Sequence, residues 1–277
     1  MISQNFIQCD KGSIFTIIKY PENRNVENAV LLIPGFGESK CDLDYFLNNL
    51  SNFFIENNFM TMQLDLFAHG DSYGDFEELS CDIIIDNIVN AIKYLKKKSE
   101  NLKIYLICRG IYIELISEKN ILNEICGLVG ISPVKVKTSE LICFERAILS
   151  NKKTIEIGEF KDREIILKIL IMLGAEPDNL FAQKINTKFL NDIIERLKNK
   201  TWDKITYNNI VWLTSNIETL DVNIEYEYSK IQYKTLDYYA GYAFPRDICW
   251  QYKYILNILS NVIRMSKGRL YAHPVSI

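Results

Sequence analysis

Ala29-Val30-Leu31-Leu32-Ile33-Pro34-Gly35-Phe36-Gly37 is an apolar run of strand length that stops abruptly in a proline and two glycines. A run this short and continuous suits a strand buried on both faces, as the strands of a parallel sheet are. Met60-Thr61-Met62-Gln63-Leu64 repeats the pattern and ends at Asp65. Between the two, Leu43, Phe46, Leu47, Leu50, Phe53 and Phe54 recur at helical spacing. The three pieces predict one βαβ unit.

Outward from this unit the alternation continues. Asn5 to Cys9 and Ser13 to Lys19, around a Lys11-Gly12 turn, predict an antiparallel hairpin. Further on come a helix over 82–97, a strand over 103–107, a helix over 111–118 and a strand over 126–131 ending at Ser132-Pro133. From Val134 to Lys204 strand signals vanish and helical periods dominate: first Ile165, Leu167, Ile169 and Leu170, then Phe189, Ile193, Ile194 and Leu197. The α/β pattern returns with Asn209 to Thr214, a strand over 231–239 and a helix over 248–265. The expected fold class is α/β: a mostly parallel central sheet flanked by helices, with an inserted helical cap. The core spans 1–133 and 205–277, and the cap 134–204.

The chain of 277 residues is 48% hydrophobic and 24% charged, with a net charge of −3, so it is long enough for one large core. Its scattered lysines give no electrostatic footprint for nucleic acid. Seven cysteines, widely spaced and without a C-x-x-C pair, suggest reduced thiols in the cytoplasm and no metal site. No basic segment with an apolar run opens the chain, and no stretch approaches about 18 uninterrupted apolar residues, so no membrane span is expected. The Ile, Lys and Asn richness fits a low-GC bacterial genome and carries no functional weight. Nothing calls for a cofactor, and a homo-oligomer stays open.

Two loops resemble those of the α/β-hydrolase superfamily, in its cap-bearing serine-aminopeptidase-like or cinnamoyl-esterase-like branch. Leu31-Leu32-Ile33-Pro34-Gly35-Phe36-Gly37-Glu38-Ser39-Lys40 is similar to the family's strand followed by a His-Gly oxyanion loop, with Pro34 in place of the His. Asp65-Leu66-Phe67-Ala68-His69-Gly70-Asp71-Ser72-Tyr73-Gly74-Asp75-Phe76 is similar to the family's D-x-x-G-H-G-D-S-x-G-x-F, with Ala68 replacing a Gly. The resemblance covers 28–135 well and 209–265 weakly. It implies a crevice at the carboxyl ends of the strands. There Gly35 and Phe36 line the site, and the Phe36 N–H with that of the residue after the nucleophile, Ile111, forms an oxyanion hole.

The family's G-x-S-x-G elbow falls on Ile104-Tyr105-Leu106-Ile107-Cys108-Arg109-Gly110-Ile111-Tyr112, which contains no serine. In one frame Cys108 and Tyr112 take the two glycine positions and Gly110 takes the nucleophile's, so the hydroxyl is gone. In the other, Gly110 is the second glycine, Leu106 the first, and Cys108 the nucleophile, as in Cys-dependent dienelactone-hydrolase-like relatives; its thiol then needs a depressed pKa. The segment 237–244 resembles the family's A-G-H-x-F with Tyr242 replacing the basic His, and an ordinary tyrosine, with a pKa near 10, is a poor base at neutral pH. The two histidines are no better placed: His69 sits in the H-G-D-S turn and His273 near the end. The acid position falls on Glu218, with Asp221 as alternate. Arg109 is expected at the start of the helix after the elbow, either attracting an anionic ligand or sitting on the surface.

Three functions fit these residues. The pocket under the cap binds a small molecule or peptide, or serves non-hydrolytic chemistry. Alternatively the chain is a Cys108-dependent esterase, thioesterase or acyltransferase. Alternatively it is a partner-binding pseudo-hydrolase.

Overall fold

The computed structural model describes residues 1–22, 26–42, 45–99, 101–131, 145, 152–156, 183–199 and, as backbone, 210–213. The predicted strand over 231–239 and helix over 248–265 lie outside the described residues, as does the 165–170 helical period.

Seven strands form one sheet in the order β1-β2-β4-β3-β5-β6-β9. These are β1 (Ile2–Cys9), β2 (Gly12–Lys19), β3 (Asn28–Ile33), β4 (Met60–Leu64), β5 (Lys103–Arg109), β6 (Gly127–Ile131) and β9 (Ile210–Leu213). The opening hairpin pairs antiparallel, Ile2 opposite Lys19 and Cys9 opposite Gly12, and β2 joins β4 antiparallel. All remaining pairs are parallel, with Leu31 level with Met62 on one side and Leu106 on the other. The βα reading therefore places the parallel strands correctly.

The helices cover both faces. α1 (Phe46–Glu56) buries Phe46, Leu47, Leu50 and Phe54. α2 (Cys81–Lys96) starts at Ser80, whose hydroxyl accepts the Ile83 N–H, and carries Lys93 and Lys96 in its last turn where the helix dipole favours them. On the α2 side one continuous core holds Ala29, Leu31 and Ile33 of β3, Met60, Met62 and Leu64 of β4, and Ile104, Leu106 and Cys108 of β5, together with Ile84, Ile88, Ala91 and Leu95. The alternate residues Val30, Leu32, Tyr105 and Ile107, equally buried, turn to the opposite face.

Two expectations change in detail. The helix expected over 111–118 is replaced by a 3₁₀ turn (Gly110–Tyr112) and the single-turn α3 (Ile113–Ile116), with α4 (Lys119–Leu122) following beyond it. The break falls at Ser117, whose hydroxyl donates to the Glu114 carbonyl and competes with the helical ladder. Within 134–204, where only helix was expected, β7 (Thr154–Glu156) and β8 (Lys184–Asn186) form a small antiparallel ladder. They lead into α5 (Thr187–Lys198), capped by Asn186, whose side chain accepts the Lys188 N–H.

Candidate functional site at the carboxyl ends of the strands

Three loops meet where β3, β4 and β5 end. The first is a turn closed by the Glu38 N–H donating to the Gly35 carbonyl at 3.1 Å. The second is the 65–76 loop, an internal brace. Asp65, fully buried, accepts the Lys40 N–H, the Lys40 Nζ at 2.9 Å and the Asp71 N–H at 2.9 Å. Lys40 also reaches Asp71 at 2.7 Å. Burial works against the Lys40 charge, but the two carboxylates outweigh it and raise its pKa. Gly70, at φ +48°, is required here, because a Cβ would stand 2.4 Å from the Asp65 carboxylate. Ser72 donates to the Asp65 carbonyl at 2.6 Å and accepts the Phe15 N–H at 2.8 Å, tying the loop to β2.

His69 joins this loop to the other two. Its Nδ1 lies 2.7 Å from the Phe67 carbonyl, which fixes the proton on Nδ1. Nε2 is then an acceptor, and it receives the Gly37 N–H at 3.1 Å and the Tyr112 hydroxyl at 2.9 Å. Burial pushes the His69 pKa down to about 4, so the ring is neutral. His69 is thus a brace for the Gly35–Glu38 turn. The second frame-defining residue, Tyr112, fills the space beside it, and burial raises its hydroxyl pKa well above the usual range.

The third loop is the strand-to-helix turn. β5 runs two residues further than the periodicity predicts, so Cys108 lies within the strand, level with Ile33 and Gly130. Its side chain belongs to the α2-side core, and burial drives the thiol pKa well up. Gly110 takes the turn itself at φ +65°, the left-handed conformation of a sharp strand-to-helix corner. Gly110 and Ile111 are buried. Gly35 is buried too.

Arg109 is neither on the surface nor on a helix. It ends β5, is 3% exposed, and makes a buried ion pair with Asp42 just past the Gly35–Glu38 turn. Over these loops sits an aromatic cluster that sequence reading did not foresee. Phe36 stacks on Phe189 of α5 with centroids 5.6 Å apart and planes 12° off parallel. Its edges meet Phe76 at 5.5 Å, His69 at 5.9 Å and Tyr112 at 5.9 Å. α5 is anchored by Arg196 donating to Glu118 at 2.6 Å. The helical period through Phe189 and Ile193 foretold a buried face, but no local signal names Phe36 as its target. Glu218, Asp221, Tyr242 and His273 lie outside the described residues. Among the described residues no cluster of His, Cys, Asp and Glu is placed to hold a metal.

The sheet order and the turns at β3, β4 and β5 define the α/β-hydrolase fold. Solved structures agree. Est1E from Butyrivibrio proteoclasticus, determined with ferulic acid bound, superposes with a TM-score of 0.58 at 13% identity, over 94% of this chain and 99% of that one. A soluble variant of the Saccharomyces cerevisiae monoglyceride lipase, in complex with a substrate analogue, gives 0.55 at 15% identity over 77% and 76%. A thermostable carboxyl esterase from Bacillus coagulans gives 0.55 at 13% over 76% and 78%. No protein-family model and no curated protein matches the sequence. No helix among the described residues is long and apolar enough to cross a membrane.

Proposed function

We infer that this α/β-hydrolase-fold chain does not perform Ser-dependent acyl transfer and acts instead by binding, holding a small molecule or peptide beneath the segment 134–204, which serves as its cap. One observation carries the reading: the left-handed corner between β5 and the following 3₁₀ turn is Gly110, which offers no nucleophilic side chain. Tyr242 in place of the family's His, and Glu218 without an imidazole to orient, point the same way. Cys108 is a poor substitute, because a thiol buried in the core is held protonated and away from solvent. The thiols of Cys9, Cys41, Cys81 and Cys108, none of them in a disulfide, suit a reducing, cytoplasmic setting.

The stack of Phe36 on Phe189 favours a second reading, in which the old crevice is filled by the chain's own side chains and the protein binds a partner on its surface. Native mass spectrometry of the purified full chain, followed by a thermal-shift screen of small carboxylic acids, acyl amides and short peptides, separates the two. A bound or stabilising compound supports the ligand reading. Stability untouched by every compound, with a protein co-purifying in fixed ratio, supports the second. Robust turnover of activated esters or thioesters would overturn both.

A further inference from the structure

β1 is the outermost strand of the sheet among the described residues, and its residues Ile2–Cys9 include no charge and no proline. Those are the devices by which an edge is usually kept from pairing. The Tyr20 N–H donates to the Met1 carbonyl at 2.9 Å and the Met1 amino group returns to the Tyr20 carbonyl at 3.3 Å. Bonding partners alternate along an antiparallel ladder, so in the observed register Ser3, Asn5 and Ile7 turn their N–H and C=O toward β2. Ile2, Gln4, Phe6 and Gln8 therefore turn theirs outward. The same four side chains are the exposed ones, with Ile2 at 65% and Phe6 at 61%.

We propose that β1 is a homodimerisation edge, pairing antiparallel with β1 of a second copy about a two-fold axis through Asn5. An antiparallel pair of identical strands is self-complementary. With the axis at Asn5, Ile2 stands opposite Gln8 and Gln4 opposite Phe6, so every outward residue meets another outward residue and its N–H and C=O are answered. No like charges oppose one another in this register, and Phe6, leaning on Phe15 at 5.2 Å, gains a cross-strand neighbour. A single ladder buries little area, so the dimer is weak, with dissociation in the micromolar range.

Sedimentation velocity of the full chain over a concentration series tests this. The expected result is a reversible monomer–dimer equilibrium. Gln4→Pro removes an outward N–H that β2 does not use, and Phe6→Lys sets a charge beside its symmetry mate. Each weakens the dimer by at least about tenfold while leaving the circular dichroism spectrum unchanged, and Gln4→Pro leaves the melting temperature unchanged as well. If one variant misfolds, the other still decides. A wild-type chain that stays monomeric at its highest soluble concentration overturns the proposal, as does a dimer indifferent to both substitutions.

Discussion

His69 is a neutral imidazole whose folded-state pKa of about 4 lies below its ordinary 6.5. The unfolded chain therefore binds a proton that the folded chain refuses between those two values. Stability contributed by the neutral ring is intact above pH 6.5, falls as pH drops toward 4, and is flat below. The full loss is roughly 3 kcal/mol. Urea titrations at several pH values show this slope in the wild type, and it is absent in His69→Gln. That variant is also less stable by about 1–3 kcal/mol at neutral pH, because it disturbs an acceptor for the buried Gly37 N–H and Tyr112 hydroxyl. At Ala68 the sign reverses. The residue sits at φ +66° where the resembling motif has glycine, so Ala68→Gly relieves left-handed strain and stabilises by up to about 1 kcal/mol, the gain trimmed by the freer unfolded chain. The thiols supply a third check. Iodoacetamide on the native protein, followed by peptide mass spectrometry, modifies half-buried Cys41 well before Cys108.

At the scale of elements, the contacts that close the site link parts far apart in the chain. Arg109 of β5 and Asp42 form a buried pair, and removing one partner strands the other charge. Arg109→Met alone costs about 3–5 kcal/mol, and adding Asp42→Asn, which removes the stranded charge and suits the left-handed φ of +58°, recovers much of it, as a double-mutant cycle of denaturation free energies measures. Phe189→Ala unstacks α5 from Phe36 and costs about 3–5 kcal/mol by the same measurement. These contacts mark the limit of what the sequence discloses. β3 was legible as a continuous apolar run and β4 as the run Met-Thr-Met-Gln-Leu, each closed by a turn residue, and Met60–Leu64 matches its predicted bounds. β5 outran its prediction because Cys108 and Arg109 look like turn residues until the buried partner of the arginine is known. The strands Thr154–Glu156 and Lys184–Asn186 are three residues each, too short for a period of two to register. Asp65, Gly70 and Ser72 stood in a recognisable motif, but their work as a brace depends on Lys40 and Phe15, which no spacing rule connects to them.

The whole molecule keeps the sheet and loop architecture of the α/β-hydrolase fold. The sheet brings the Gly35–Glu38 turn, the His69 loop and the β5 corner together, as the α/β-hydrolase fold does. Gly110 occupies the corner and aromatic side chains pack above it. The most direct test is exposure of the full chain to a fluorophosphonate and to a panel of activated esters, thioesters and aminoacyl amides. Intact-mass analysis and turnover are then compared between wild type and Cys108→Ala. The account predicts no serine adduct, and no hydrolysis above the rate without protein in either. A stoichiometric serine adduct, or turnover that disappears with Cys108→Ala, would contradict it.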